Sequence, residues 1–70
     1  MKLYELIDTL MYSQEVIVVD FDNGDTCSRN RNARSTAFLL ESNKRLRESK
    51  VCLIEIDIYN STMIIHVLKD

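Results

Sequence analysis

The stretch from Cys52 to Val67 constrains this chain more than any other. Cys52, Ile54, Ile56 and Ile58 alternate with Leu53, Glu55, Asp57 and Tyr59, and after Asn60-Ser61 the alternation resumes with Met63, Ile65 and Val67. A period of two is that of a β-strand, whose successive side chains point to opposite faces, so two such runs around a turn predict a hairpin. With Asn60-Ser61 as a two-residue loop, Ile58 faces Met63, Ile56 faces Ile65 and Ile54 faces Val67. On the other side Glu55 faces His66, Asp57 faces Ile64, Leu53 faces Leu68 and Tyr59 faces Thr62. A slip of one residue would bury the charges, so the apolar pairs specify the register.

Upstream, Val16-Ile17-Val18-Val19-Asp20-Phe21-Asp22 is a β-branched run too short for a helix. It ends at Asn23-Gly24, the preferred centre of a two-residue hairpin turn, which predicts a polar returning edge strand over 25–30. Leu3, Leu6, Ile7, Leu10 and Met11 recur at helical spacing and predict a first helix over 2–12. Ser35 or Thr36, with Asn32 ranked behind them, caps a second helix that runs to Glu41 and continues, kinked at Ser42-Asn43, towards Glu48. The result is a single α+β domain over 1–70 of αββαββ layout: a four-stranded, mainly antiparallel sheet with two helices on one face. The repeated αββ order suggests a duplicated architecture. Ile17, Val19, Phe21, Ile54, Ile56, Ile58, Met63, Ile65 and Val67 are expected beneath Leu3, Leu6, Ile7, Leu10, Phe38 and Leu39. The open face then carries Leu53, Tyr59, Ile64 and Leu68 beside Glu55, Asp57, His66, Val16 and Val18, apolar enough to signal a partner or a sheet-to-sheet homodimer.

A core built from 70 residues stabilises only marginally, and a deep catalytic cleft is not expected in so small a chain. The chain carries no phosphate-binding glycine loop, nucleophile elbow or EF-hand loop. Cys27, Cys52 and the single His66 do not make a zinc set, and both cysteines are expected as free thiols. Asp20, Asp22 and Asp25 bracket Gly24 but lack the remaining ligands of a calcium loop, and their expected role is turn chemistry. His66 opposite Glu55 is expected as a cross-strand ion pair. The expectation is therefore a protein that is not an enzyme and holds no metal or cofactor. No apolar run approaches the ~20 residues that cross a bilayer and no cleavable signal pattern opens the chain, so a cytoplasmic setting without membrane contact is expected.

The formal net charge of −2 conceals an uneven distribution. Arg29, Arg31, Arg34, Lys44, Arg45, Arg47 and Lys50 crowd the middle against only Glu41 and Glu48, while nine carboxylates and two lysines make up the flanks. Arg29, Arg31, Arg34, Arg45 and Arg47 are the candidate contacts for nucleic acid. The aromatic residues are not interleaved with them, unlike in single-strand binders, so this reading ranks second.

The order Met-Lys-Leu-x-Glu-Leu-Ile, then Val-Ile-Val-Val-Asp-Phe-Asp-Asn-Gly, a middle helix and a closing Lys-Val-Cys-Leu-Ile-Glu-Ile-Asp hairpin resembles small accessory proteins of bacteriophages and prophages. That resemblance implies an anti-CRISPR or other anti-defence inhibitor that binds a host protein or ribonucleoprotein in the host cell. On the residues themselves, the expected contacts are Asp20, Asp22, Asp25, Glu55 and Asp57 towards a basic partner, with Leu53, Tyr59 and Ile64 for apolar contact. A self-associating accessory subunit is the third reading.

Overall fold

The computed structural model describes residues 1–69. In chain order it contains α1 (Leu3–Ile7), β1 (Glu15–Asp20), β2 (Thr26–Asn30), α2 (Ala33–Glu41), α3 (Lys44–Arg47), β3 (Lys50–Asp57) and β4 (Thr62–Leu68). The strands form one mixed sheet in the order β2-β1-β4-β3. The β1–β2 and β3–β4 hairpins are antiparallel, and the central pair, β1 and β4, is parallel. The α+β class and the αββαββ order agree with the sequence, with the second helix divided in two. The strand positions do not repeat: β1 is central and β2 at an edge, whereas β3 is at the other edge and β4 central. The two αββ halves therefore differ in architecture, against the expectation of a duplication.

The parallel pairing decides which side of β1 is buried. Val16 lies beside Met63, Val18 beside Ile65 and Asp20 beside Val67, so these residues share the helix side of the sheet. Val16, Val18, Ile65 and Val67 are fully buried beneath Leu3, Leu6, Ile7, Ala33, Leu40 and Leu46. Ile65 and Val67 are buried as expected, but on β1 the expectation was the opposite set, Ile17, Val19 and Phe21. Ile17 and Val19 instead stand half-buried on the open face, and Phe21 is 52% exposed. Both faces of β1 are apolar, so alternation leaves the choice to the pairing with β4. The Phe21 amide donates to the Val67 carbonyl at 2.8 Å, which carries the parallel ladder past the end of β1.

Both hairpin turns are longer than two residues. In the first, the amide of Asp20 donates to the Asp25 carbonyl and the amide of Gly24 to the Asp20 carbonyl, each at 2.8 Å, and Gly24 takes φ +76°. Asp20 and Asn23 side chains accept from the amides of Asp22 and Asp25, so of the three acidic residues Asp20 serves the turn with its carboxylate, while Asp22 and Asp25 enter it through their backbone. In the second, Asp57 pairs with Thr62, Ile56 with Met63 and Ile54 with Ile65, a register displaced by two residues from that of a tight Asn60-Ser61 loop. A shift of two preserves the faces. The larger turn follows from Asp57, whose carboxylate accepts from the amides of Tyr59 and Asn60 and from the Asn60 side chain.

The helices are short. Helix α1 stops at Ile7, where the Thr9 hydroxyl donates to the Leu6 carbonyl and ends the ladder. Helix α2 starts from Asn32, whose side chain accepts from the Ser35 amide at 2.8 Å, rather than from Ser35 or Thr36. This earlier start turns Thr36 into the fully buried layer and leaves Phe38 75% exposed, against its expected place in the core. Asn43 then caps α3 by accepting from the Leu46 amide, which converts the expected kink into a break.

Candidate binding surface

Helix α2 packs over β1 and β2, and among the described residues no helix lies across β3 to a comparable extent. Ile54 and Ile56 project to the helix side next to Ile65 and Met63, yet they are 43% and 57% exposed, and Ile58 beyond them is 78% exposed. The expectation that these three isoleucines are core residues fails because the helices stop short of the edge strand.

The outer edge of β3 is covered only at its start. The Val51 amide donates to the Met1 carbonyl at 2.9 Å and the Leu3 amide to the Ser49 carbonyl at 2.8 Å, forming a bridge between Lys2 and Lys50. From residue 52 to residue 57 no further strand lies alongside among the described residues. Proteins normally shield such an edge with charge, brevity or a covering segment. The other edge, β2, follows that rule with its polar Thr-Cys-Ser-Arg-Asn sequence.

The open face has a regular composition. One row crosses all four strands as Arg29, Ile17, Ile64 and Glu55, and the next as Thr26, Val19, His66 and Leu53. Glu15, Thr62 and Asp57 form a third row, in which the Thr62 hydroxyl donates to Glu15 Oε2 at 3.1 Å. His66 Nε2 lies 2.5 Å from Glu55 Oε1, so these residues meet as expected, although diagonally rather than as direct partners.

The expected contact residues fall into separate groups. Leu53, Glu55 and Ile64 share the open face, and Asp57 and the exposed Tyr59 lie at one end of it. Asp20, Asp22 and Asp25 lie at the opposite end, where β1 finishes, and Asp20 is ion-paired with Lys69 at 3.6 Å. Folding thus does not gather the five carboxylates into one acidic surface. The arginines divide as well. Arg29 stands on the open face and Arg31 and Arg34 near the start of α2, while Arg45 and Arg47 belong to α3. The Arg47 guanidinium stacks 4.2 Å from the Tyr4 ring centre, and that of Arg34 lies 5.8 Å from Tyr12. Sequence reasoning missed Ile17, Val19 and Phe21 as open-face residues and the isoleucine row as exposed; the parallel register of β1 with β4 identifies the first set, and the reach of the helices identifies the second.

Hydrogen bonds from Asn60 hold the Asp57 carboxyl below the usual range, Asn60 contributing both side-chain and amide donors and Tyr59 a weaker amide. Elsewhere, the Lys2 ammonium meets Glu48 at 2.8 Å, which raises the lysine and lowers the glutamate from their ordinary values. Among the described residues no three of His, Cys, Asp or Glu gather as metal ligands. Cys27 and Cys52 are free and occupy the two opposite edge strands, β2 and β3. Surface depressions are small, such as one of about 280 Å³ bordered by Glu15, Arg29, Asp57 and Thr62. No helix among the described residues is long and apolar enough to cross a membrane.

These features define a small α+β domain with one covered and one open sheet face and an unshielded edge strand. No protein-family model, curated protein or solved structure matches this chain.

Proposed function

We propose that this chain is a noncatalytic binding protein that engages a macromolecular partner by strand addition along residues 52–57 of β3. The observation that carries this reading is the row Ile54, Ile56 and Ile58, uncovered beside an unpaired edge. In strand addition, main-chain hydrogen bonds supply affinity and alternate side chains supply specificity. Here the isoleucines would grip apolar residues of the incoming segment, and Glu55 and Asp57 on the other side favour basic ones. Tyr59, on the turn, extends the contact.

The role in which such a module acts is occlusion of a host macromolecule, a CRISPR effector or another defence factor, in the cytoplasm of the host cell. Support for that setting comes from the resemblance in element order to phage accessory proteins. The test is capture from a bacterial lysate with the native chain and with the double variant Ile54→Lys, Ile56→Lys. A specific protein held by the native chain and lost from the variant is expected. Equal retention by both would exclude the edge, and recovery of no specific protein would count against binding altogether. Direct nucleic-acid binding through Arg29, Arg31, Arg34, Arg45 and Arg47 draws support from the exposure of the first three. It requires binding that weakens steeply with salt.

A further inference from the structure

We infer that the open face of the sheet is the interface of a two-fold homodimer in which two copies stack face to face, Arg29 of each copy pairing with Glu55 of the other. The inference leaves the main-chain edge of β3 and the isoleucine row free, but it draws on the open-face carboxylates of Glu55 and Asp57 that strand addition would also use.

Three observations carry it. The first is composition: Ile17, Val19 and Ile64 on the two central strands, with Leu68 at the end of β4, Leu53 on the edge strand and Phe21 past the end of β1, make an apolar area around His66 on a face that no layer covers among the described residues. The second is the distribution of charge around that centre. Arg29 and Glu55 terminate the same row at opposite edges of the sheet, with Ile17 and Ile64 between them. A two-fold axis parallel to the strands, passing between β1 and β4, exchanges the edges and preserves position along the strands. It therefore sets Arg29 over Glu55 of the second copy twice, and Ile17 over Ile64 twice. Arg31, which follows β2, comes to the end of the sheet where Asp57 of the second copy closes β3. Arg29 makes no ion pair among the described residues, whereas Glu55 already meets His66 through Oε1 in its own copy, so the arginine of the second copy addresses Oε2. The alternative two-fold, perpendicular to the strands, would instead place Arg29 over Thr26 and Glu55 over Leu53, burying both charges against neutral groups.

The third is area. Four strands ~4.8 Å apart and about six residues long present roughly 400 Å² of plane on each copy, and with flanking side chains the pair reaches the ~1,000 Å² that a specific interface needs. Sheets stacked ~10 Å apart cross by about 30°, which displaces the edge residues by a few ångströms, within the reach of an arginine side chain.

The experiment is sedimentation equilibrium of the full chain at low salt, for the native protein, Arg29→Glu, Glu55→Arg and the combined Arg29→Glu, Glu55→Arg swap. A native dimer is expected. Each single swap places like charges together and weakens association at least about tenfold, and the combined swap restores it to within about threefold of native. Restoration in the double variant also shows that the chain still folds, since a misfolded single variant would not be rescued by a second surface change. A native chain that remains monomeric at millimolar concentration overturns the inference. So does a dimer indifferent to both single swaps. A dimer lost on Ile56→Lys while the charge swaps leave it intact would assign association to the β3 edge instead, and overturns it too.

Discussion

Residues with similar side chains one position apart on β1 carry opposite burdens. Val18 is fully buried and Val19 half-buried on the open face. Val18→Ala is expected to cost about 2 kcal/mol through lost transfer energy and a residual cavity, and Val19→Ala less than about 1 kcal/mol. Urea denaturation of the two variants decides the matter, and a larger loss at Val19 would mean that the strand faces are reversed. Ser28 gives a change of opposite sign. Its hydroxyl is buried without a hydrogen-bond partner among the described residues, so Ser28→Ala removes an uncompensated polar group and is expected to leave stability unchanged or raise it by up to about 1 kcal/mol. Asp57 links the second turn to pH. Because its folded pKa lies below its unfolded one, its contribution is present above the ordinary aspartate pKa of about 4 and is lost as pH falls through the folded value. Asp57→Asn should flatten the acid limb of a stability–pH curve, checked by denaturation at a series of pH values.

At the level of elements, what the sequence discloses depends on how much of each decision is local. The weak point of the second helix around Ser42-Asn43, though not its full break, the polar β2 and the parity of the β3–β4 hairpin are written in side chains that bond their own neighbourhood or alternate unambiguously. The buried side of β1 is not, because Val16-Ile17-Val18-Val19 is apolar on both faces and only the parallel partner β4 distinguishes them. Nor is the exposure of Ile54, Ile56 and Ile58, which depends on how far α2 reaches across the sheet. The Asn32 cap was legible as a residue type, but its rank below Ser35 and Thr36 reversed once Thr36 was needed in the buried layer, where its hydroxyl meets the Asn30 side chain at 3.2 Å. Asn32→Ala is expected to cost about 1 kcal/mol, measurable by thermal denaturation, whereas Ser35→Ala should cost less than half of that. Had Ser35 been the cap, the order would invert.

For the whole molecule, a sheet covered on one side leaves folding and association coupled. The buried cluster holds ten apolar side chains, eight of them on the helices or β1 and two on β4, so the isolated copy has a thin core for its 70 residues. A second copy that binds only the folded state adds stability by mass action, about 1.4 kcal/mol per mole of dimer for each tenfold rise in concentration above the dissociation constant. The melting temperature is therefore expected to climb with protein concentration. Sodium chloride should reduce the effect, because the Arg29–Glu55 pairs lie at the rim where counterions enter, while the apolar centre is left in place. Calorimetry over a hundredfold range of concentration, at low and high salt, reads both dependences at once. A melting temperature constant across that range would mean that the open face meets only water. A concentration dependence untouched by salt would mean that the copies associate without the charge pairs that set their orientation.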